Sequence, residues 1–103
     1  MTESASLGIQ VNGGELAALC ERHGIARLSI FGSALRPDFR ADSDVDVLVE
    51  FLQGRRVGLI GVAAIERELS ALFGRTVDLR TPADLSPRFR DEVRRTAALQ
   101  YAA

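Results

Sequence analysis

The stretch that decides the fold is Ser43-Asp44-Val45-Asp46-Val47-Leu48-Val49-Glu50-Phe51. Its valines favour a β-strand, in which successive side chains point to opposite faces. Asp44 and Asp46 are therefore predicted to lie on one face, with the valines on the other. Two carboxylates held this close repel each other unless a divalent cation or a basic partner compensates their charge. The pattern indicates a magnesium site on a strand whose other face is apolar.

Regular patterns predict the elements that precede this strand. Asn12 is typical of a helix N-cap and Gly24 of a C-terminal cap, so a first helix is expected between them. Residues 25–31 follow as a strand that ends at Gly32. Residues 33–42 then leave room for one helical turn and a polar loop. A phosphate-sized turn is thus expected at the carboxyl end of a strand.

The second half is predicted to contain a long helix, a short strand and a final helix. Apolar residues recur at helical spacing over residues 59–73, and residues 76–80 alternate as a strand. Ser86-Pro87 is a strong helix start. A repeat of four predicts that this last helix continues through Phe89, Val93, Ala97 and Tyr101. The expected fold class is therefore α/β, a small sandwich with a short mixed sheet and helices packed on one face.

Composition excludes several functional classes. The chain has 103 residues, 47% of them hydrophobic and 26% charged, which is ordinary for a globular domain. A formal net charge of −1 gives no global positive field, so direct nucleic-acid binding is not expected. All 13 basic residues are arginine. Without lysine, the chain cannot use a Walker A phosphate loop or a Schiff-base mechanism.

The chain is expected to form one domain over residues 11–103, preceded by a flexible leader at residues 1–10. The single cysteine, Cys20, cannot form an internal disulfide and is interpreted as a small core residue. No signal segment or membrane span is recognisable in the sequence. A cytoplasmic protein is the simplest expectation.

Four further residues extend the site predicted at Asp44 and Asp46. Gly32 allows backbone to approach a phosphate closely, and Ser33 can offer its hydroxyl and N–H groups to phosphate oxygens. Arg36 is placed to contact phosphate, although a surface role is equally consistent with the sequence. Asp78, on the third strand, is either a third carboxylate of the site or an exposed strand acid. Such a set suits phosphoryl or nucleotidyl transfer, in which charge develops on phosphate oxygens.

Three stretches resemble one known family: Phe31-Gly32-Ser33-Ala34-Leu35-Arg36, Asp42-Ser43-Asp44-Val45-Asp46-Val47-Leu48-Val49-Glu50-Phe51 and Val77-Asp78-Leu79. The family is the minimal nucleotidyltransferase (MNT) domain of the polymerase-beta-like superfamily, in the branch found beside HEPN-domain ribonuclease toxins. The resemblance covers roughly residues 12–103 and includes Thr81-Pro82-Ala83-Asp84-Leu85-Ser86-Pro87. It is specific because the Gly-Ser turn, the Asp-x-Asp strand and the later strand aspartate occur together and in order.

The resemblance implies a magnesium-dependent adenylyltransferase that moves AMP from ATP to a hydroxyl, most simply a tyrosine of a partner HEPN toxin. It assigns Gly32 and Ser33 to the nucleotide turn. Asp44, Asp46 and Asp78 become the catalytic carboxylates and the ligands of two magnesium ions. The chain would then be an antitoxin that assembles with its toxin.

Two alternatives remain open at this point. The chain can be an antitoxin that neutralises its partner by binding alone, with vestigial acids. It can also be a transferase for a small hydroxylated molecule, although one short domain leaves little room for a second substrate pocket. The arginines near the C-terminus fit either a solvated helix face or a docking patch, and they are Arg88, Arg90, Arg94 and Arg95.

Overall fold

A computed structural model describes residues 11–32 and 44–103. In chain order, the elements within these residues are α1 (Gly13–His23), β1 (Ile25–Phe31), β2 (Val45–Phe51), α2 (Leu59–Phe73), β3 (Val77–Arg80), a 3₁₀ turn (Pro82–Asp84), α3 (Pro87–Thr96) and β4 (Ala98–Ala102). The helical turn and polar loop expected at residues 33–42, and the leader expected at residues 1–10, lie outside the described residues.

The four strands form one mixed sheet in the order β3-β2-β1-β4. Strand β1 pairs antiparallel with both β2 and β4, whereas β2 pairs parallel with β3. The parallel pair is possible because α2 carries the chain back to the starting end of the sheet, as a crossover requires. The predicted α/β class with a short mixed sheet is confirmed.

Local caps fix the ends of the helices where the sequence predicts them. The Oδ1 atom of Asn12 accepts a hydrogen bond of 2.9 Å from the N–H of Glu15 at the start of α1. Gly24 ends α1 with φ 69°, in the left-handed region that favours glycine. The Ser86 hydroxyl accepts a bond of 3.3 Å from the N–H of Phe89 at the start of α3. These caps satisfy helix-end groups that would otherwise lack partners.

The main core lies on one face of the sheet, under α1 and α2. The alternate residues of β2 that face it, Val45, Val47 and Val49, are completely buried. Packed around them are apolar side chains of the two helices and the other strands, namely Leu16, Leu19, Cys20, Ile25, Leu28, Ile30, Ile65, Leu69, Phe73, Val77 and Leu79. Burial of this surface is the main force that holds the sheet to the two helices.

The opposite face carries a second, smaller apolar cluster of Phe31, Leu48, Leu85 and Val93. Leu48 shares its face with Asp46 because the two are separated by one residue on β2. Since Val93 belongs to α3, this helix contacts the face that bears the acids. Helices α1 and α2 therefore pack on one face of the sheet, as expected. Helix α3 partly covers the opposite face, which bears the acids.

The prediction that the last helix continues to Tyr101 is wrong. Helix α3 ends at Thr96, and Ala97 adopts an extended conformation with φ −66° and ψ 145°. Residues 98–102 then pair with the free edge of β1, where Leu28 lies opposite Tyr101. The repeat of four residues fits a helix locally, but pairing with β1 satisfies backbone groups on both strands. Tyr101 packs against the main core, as expected of it.

Candidate active site

The end of β1 and the start of β2 meet at Gly32 and Asp46. Phe31 pairs with Asp46, so Gly32 follows directly beside that carboxylate. Gly32 has φ 76°, a conformation that L-residues with side chains rarely adopt. A Cβ atom built on Gly32 would overlap the Oδ2 atom of Asp46. The site therefore requires glycine here both for its backbone conformation and for the space that the Asp46 carboxylate fills.

The parallel pairing of β2 with β3 brings two of the three predicted acids together. Asp46 lies opposite Asp78 in the register, on strands about 4.8 Å apart. Asp44 lies two residues before Asp46, ahead of the first residue of β2, and is exposed. Asp46 and Asp78 are half-buried. Asp46 and Asp78 thus share one face and one end of the sheet, with Asp44 just before β2. The roles of the three carboxylates in catalysis and metal binding stay predictions.

Asp78 has a partner that the sequence reasoning missed. Arg80 donates a hydrogen bond of 3.1 Å from its Nη2 atom to Oδ2 of Asp78. Residues two apart on a strand share a face, and this spacing is the signal that would have revealed the pair. A basic neighbour of this kind partly compensates the negative charge gathered at this end of the sheet.

The acids suit a hard divalent cation by the chemistry of their oxygen atoms, since carboxylates are the protein ligands that Mg²⁺ prefers. Within residues 11–32 and 44–103, however, no three His, Cys, Asp or Glu side chains converge closely enough to hold a metal ion. Asp78 is instead bonded to Arg80. The three carboxylates are therefore suitable ligands for magnesium, but in the described residues they do not form a group that could coordinate one ion together.

Side chains of α2 hold β3, and with it Asp78, in place at the edge of the sheet. The Oε2 atom of Glu66 accepts a bond of 2.8 Å from the N–H of Leu79. The hydroxyl of Ser70 accepts one of 2.9 Å from the N–H of Val77. These bonds cover backbone donors that an edge strand otherwise leaves unpaired. The sequence offered no signal for them beyond two polar residues on one helix.

A short turn after β3 is also fixed by side chains. Asp84 accepts hydrogen bonds from the backbone N–H and the hydroxyl of Thr81, at 3.0 and 3.2 Å. Arg90 of α3 donates to the carbonyl oxygens of Pro82 and Leu85, at 2.8 and 3.1 Å. Arg90 was predicted to lie on a solvated helix face or a docking patch. Its bonds instead tie α3 to the turn that follows the strand of Asp78.

Two predicted site residues, Ser33 and Arg36, lie outside the described residues. Their assignments to the nucleotide turn and to phosphate therefore stay predictions. Gly32, the residue before them, lies beside Asp46 at the end of β1.

Two pockets in the described part of the chain lie away from the aspartates. One, of about 450 Å³, lies between α1 and α2 and is lined by Leu19, Arg22 and Glu68 among others. The other, of about 220 Å³, lies on the acid-bearing face but farther along β1 and β2, between Arg27 and Arg94. Glu50 forms ion pairs with both of these arginines, at 3.7 and 3.5 Å. Neither pocket includes Asp44, Asp46 or Asp78 in its lining.

Groups with shifted pKa values lie on the core side of the sheet. Burial raises the pKa of the Cys20 thiol to about 12, which leaves it protonated and unreactive at neutral pH. Burial also raises the pKa of Tyr101. Hydrogen bonds from His23 and then Arg22 lower the pKa of the Glu68 carboxyl. None of these groups lies beside the aspartates, and we assign them to the fold.

A small α/β sandwich with strand aspartates beside a glycine is the arrangement that the resemblance to minimal nucleotidyltransferase domains predicts. The profile of the nucleotidyltransferase domain matches residues 16–98. The chain belongs to this family. The described residues contain no helix with the length and apolar character that a membrane crossing requires.

Similar proteins agree with this assignment. A Methanocaldococcus jannaschii protein whose name gives it as a candidate protein adenylyltransferase is 36% identical over 72 residues, which are 70% of this chain and 75% of that protein. A solved structure described as a candidate minimal nucleotidyltransferase is 40% identical with a TM-score of 0.68, covering 82% of this chain and 85% of that one. A toxin–antitoxin crystal structure with AMP-PNP has a TM-score of 0.70 at 17% identity, covering 90% and 75% of the two chains. The last likeness establishes the fold alone.

Proposed function

We propose that this chain is a magnesium-dependent protein adenylyltransferase that moves AMP from ATP to a hydroxyl, most simply a tyrosine, of a partner HEPN ribonuclease toxin. The observation that carries the proposal is the register of the sheet. It sets Asp46 opposite Asp78, with Asp44 two residues ahead, just before β2. Nucleotidyl transfer builds up negative charge on phosphate oxygens. Closely spaced carboxylates suit this reaction because they can hold the divalent cations that compensate that charge.

The residues would divide the work between metal and phosphate. The proposed metal ligands are Asp44, Asp46 and Asp78, which would hold two magnesium ions. These ions would supply positive charge to the phosphates and make the attacking hydroxyl more acidic. Gly32 offers backbone that can approach phosphate, and Ser33 and Arg36 are proposed to bind the β and γ phosphates. The acceptor oxygen forms a bond to the α-phosphorus, the bond from that phosphorus to pyrophosphate breaks with its electrons leaving on pyrophosphate, and the hydroxyl proton passes to Asp78 or to solvent.

Support for the acceptor and the partner comes from similar proteins. The relative from Methanocaldococcus jannaschii is named for adenylyl transfer to protein. The toxin–antitoxin neighbour was crystallised with AMP-PNP, a nonhydrolysable ATP analogue. An antitoxin role for this chain, its toxin partner and its use of ATP are inferences from these likenesses and from the motif. The family resemblance of the motif is also what suggests a HEPN-type partner.

The test is transfer of label from α-labelled ATP, with Mg²⁺, to the partner protein. We expect label in the partner with wild-type chain, and a loss of at least about 100-fold with Asp44→Asn or Asp46→Asn. Circular dichroism of each variant controls for folding. Transfer by both variants at the wild-type rate would remove these aspartates from the mechanism.

A second function is favoured by one specific observation. Asp78, one of the proposed metal ligands, is bonded to Arg80. An antitoxin that neutralises its partner by binding alone would not need this carboxylate for metal. Full inhibition of the toxin by the Asp44→Asn chain, without ATP or Mg²⁺, would support this second function. Inhibition that requires both would exclude it.

A further inference from the structure

Arg80 is the basic residue bonded to a carboxylate of the candidate site. Its guanidinium lies 3.1 Å from Oδ2 of Asp78, and the two side chains are 49% and 38% exposed. Both belong to β3, two residues apart, so alternation keeps them on the same face of the sheet. The guanidinium therefore bonds to a carboxylate on the face of the sheet that also bears Asp46.

The register shows what this pairing does to the site. Asp78 lies opposite Asp46 in the register of β2 and β3. Arg80 lies opposite Leu48, two residues farther along the strands. The Arg80 guanidinium therefore reaches Asp78 from a position farther along the strands than Asp44 and Asp46. Among residues 11–32 and 44–103, Asp78 is bonded to this cation and belongs to no group of three metal-binding side chains.

We propose that Arg80 is a positioning residue that occupies the Asp78 carboxylate in the metal-free chain and yields it when a divalent cation binds. The inference rests on the proposed function, because that function makes Asp78 a metal ligand. A guanidinium and a metal ion compete for the same carboxylate oxygen, since each is a cation that gains by contact with it. Arg80 would then lower the affinity of the empty site for metal.

The expected size of this effect follows from the exposure of the pair. Ion pairs between partly exposed side chains are weakened by water and salt. Removing the competitor should therefore tighten metal binding by about two- to five-fold. The substitution Arg80→Lys retains the positive charge and should keep part of the competition, because lysine can contact the carboxylate but not with a planar fork.

The experiment is a titration of the full chain with Mn²⁺, followed by electron paramagnetic resonance, without nucleotide or partner. Arg80→Ala is compared with wild type, with Arg80→Lys and with Arg94→Ala. The Arg94→Ala variant is the matched control, because Arg94 pairs with Glu50 on the same side of the molecule and its loss changes net charge equally. We expect tighter Mn²⁺ binding by Arg80→Ala, with Arg80→Lys between it and wild type and no gain in Arg94→Ala.

A double variant shows whether the effect acts through Asp78. In an Asp78→Asn background, Arg80→Ala should leave Mn²⁺ affinity unchanged, because the contested carboxylate is gone. The inference is overturned if Arg80→Ala binds Mn²⁺ no more tightly than Arg94→Ala, if it binds more weakly than wild type, if neither chain binds Mn²⁺, or if the gain persists without the Asp78 carboxylate.

The outcome is separable from that of the proposed function. AMP transfer by wild type, together with unchanged Mn²⁺ affinity in Arg80→Ala, would refute only the role of Arg80. Tighter Mn²⁺ binding in Arg80→Ala, without any AMP transfer by wild type, would refute only the proposed reaction. Far-ultraviolet circular dichroism and urea denaturation of each variant establish that it folds.

Discussion

The two faces of the sheet differ sharply, although the same strands build both. On one face, Val45, Val47 and Val49 are completely buried beneath α1 and α2. On the other, Asp44 and Asp46 of the same stretch lie exposed or half-buried beside charged neighbours. The alternation of side chains lets one strand serve both faces. Stability and chemistry are therefore separated residue by residue along β2.

This separation can be tested by substitution. Changes on the core face should lower the free energy of unfolding, whereas changes to the acids should affect the reaction with little loss of stability. Removing one of several neighbouring like charges can even stabilise the fold, because it relieves repulsion.

Leu69→Ala should have the largest effect on stability. Leu69 is fully buried in the main core, so its truncation should lower the free energy of unfolding by about 2–5 kcal/mol. Leu59→Ala is the matched control, because Leu59 lies on the same helix but is 88% exposed. Urea denaturation should detect almost no change for that variant. Equal losses for the two leucines would contradict the burial described here.

Glu66→Ala should come next, because it removes the acceptor for the N–H of Leu79. An unsatisfied donor at this half-buried position should cost about 1–3 kcal/mol of unfolding free energy. Since β3 also bears Asp78, loosening this strand should lower the AMP-transfer rate as well as the free energy of unfolding. Glu66→Gln, which keeps an acceptor oxygen, is the control and should recover most of the stability. If Glu66→Ala left urea denaturation unchanged, α2 would not anchor β3.

Gly32→Ala should affect both stability and the reaction, because it strains the backbone and displaces the Asp46 carboxylate. Gly54→Ala isolates the first effect: Gly54 has φ 84°, and an added Cβ would meet nothing within 4 Å. Each variant should lose about 1–2 kcal/mol from the positive φ alone. Only Gly32→Ala should also lose AMP transfer. Equal transfer rates for the two variants would argue against the contact between Gly32 and Asp46.

Glu68→Gln should have the smallest effect, and it should depend on pH. Hydrogen bonds from His23 and then Arg22 lower the pKa of Glu68 from its ordinary 4.5. A carboxyl whose pKa is lowered by folding stabilises the fold above its unfolded pKa and loses that contribution as pH falls through the folded value. Because Glu68 is 39% exposed, solvent should limit the loss at pH 7 to below about 1 kcal/mol.

The measurement for Glu68 is the difference in unfolding free energy between wild type and Glu68→Gln across a range of about pH 3 to 7. The difference should be constant near neutral pH and shrink below the ordinary pKa of 4.5. A difference that grew as the solution became more acidic would have the wrong sign for a lowered pKa.

Local signals explain what the sequence predicted well. The caps at Asn12 and Ser86 and the alternation in β2 each depend on residues within a few positions, and the structure has them as predicted. The main core followed from the same periodicity. Leu59 is the exception in α2, because it matches the helical spacing but lies in the first turn, beyond the reach of the sheet.

Long-range pairing explains what the sequence did not predict. Strand β4 forms because β1 offers it a free edge, about seventy residues earlier in the chain, and no local pattern records that edge. The same holds for the bonds from Glu66 to Leu79 and from Arg90 to the turn after β3. The pair of Asp78 with Arg80 was predictable from alternation, but charges two apart on a strand are too common to be specific.

The most direct test of the account is AMP transfer by Asp46→Asn, with its stability measured in parallel. We predict that label from α-labelled ATP enters the partner toxin with the wild-type chain and Mg²⁺. With Asp46→Asn, transfer should fall at least about 100-fold while the variant remains folded. Transfer by Asp46→Asn at the wild-type rate, or its loss through unfolding of the chain, would contradict the claim that one face holds the fold and the other performs the reaction.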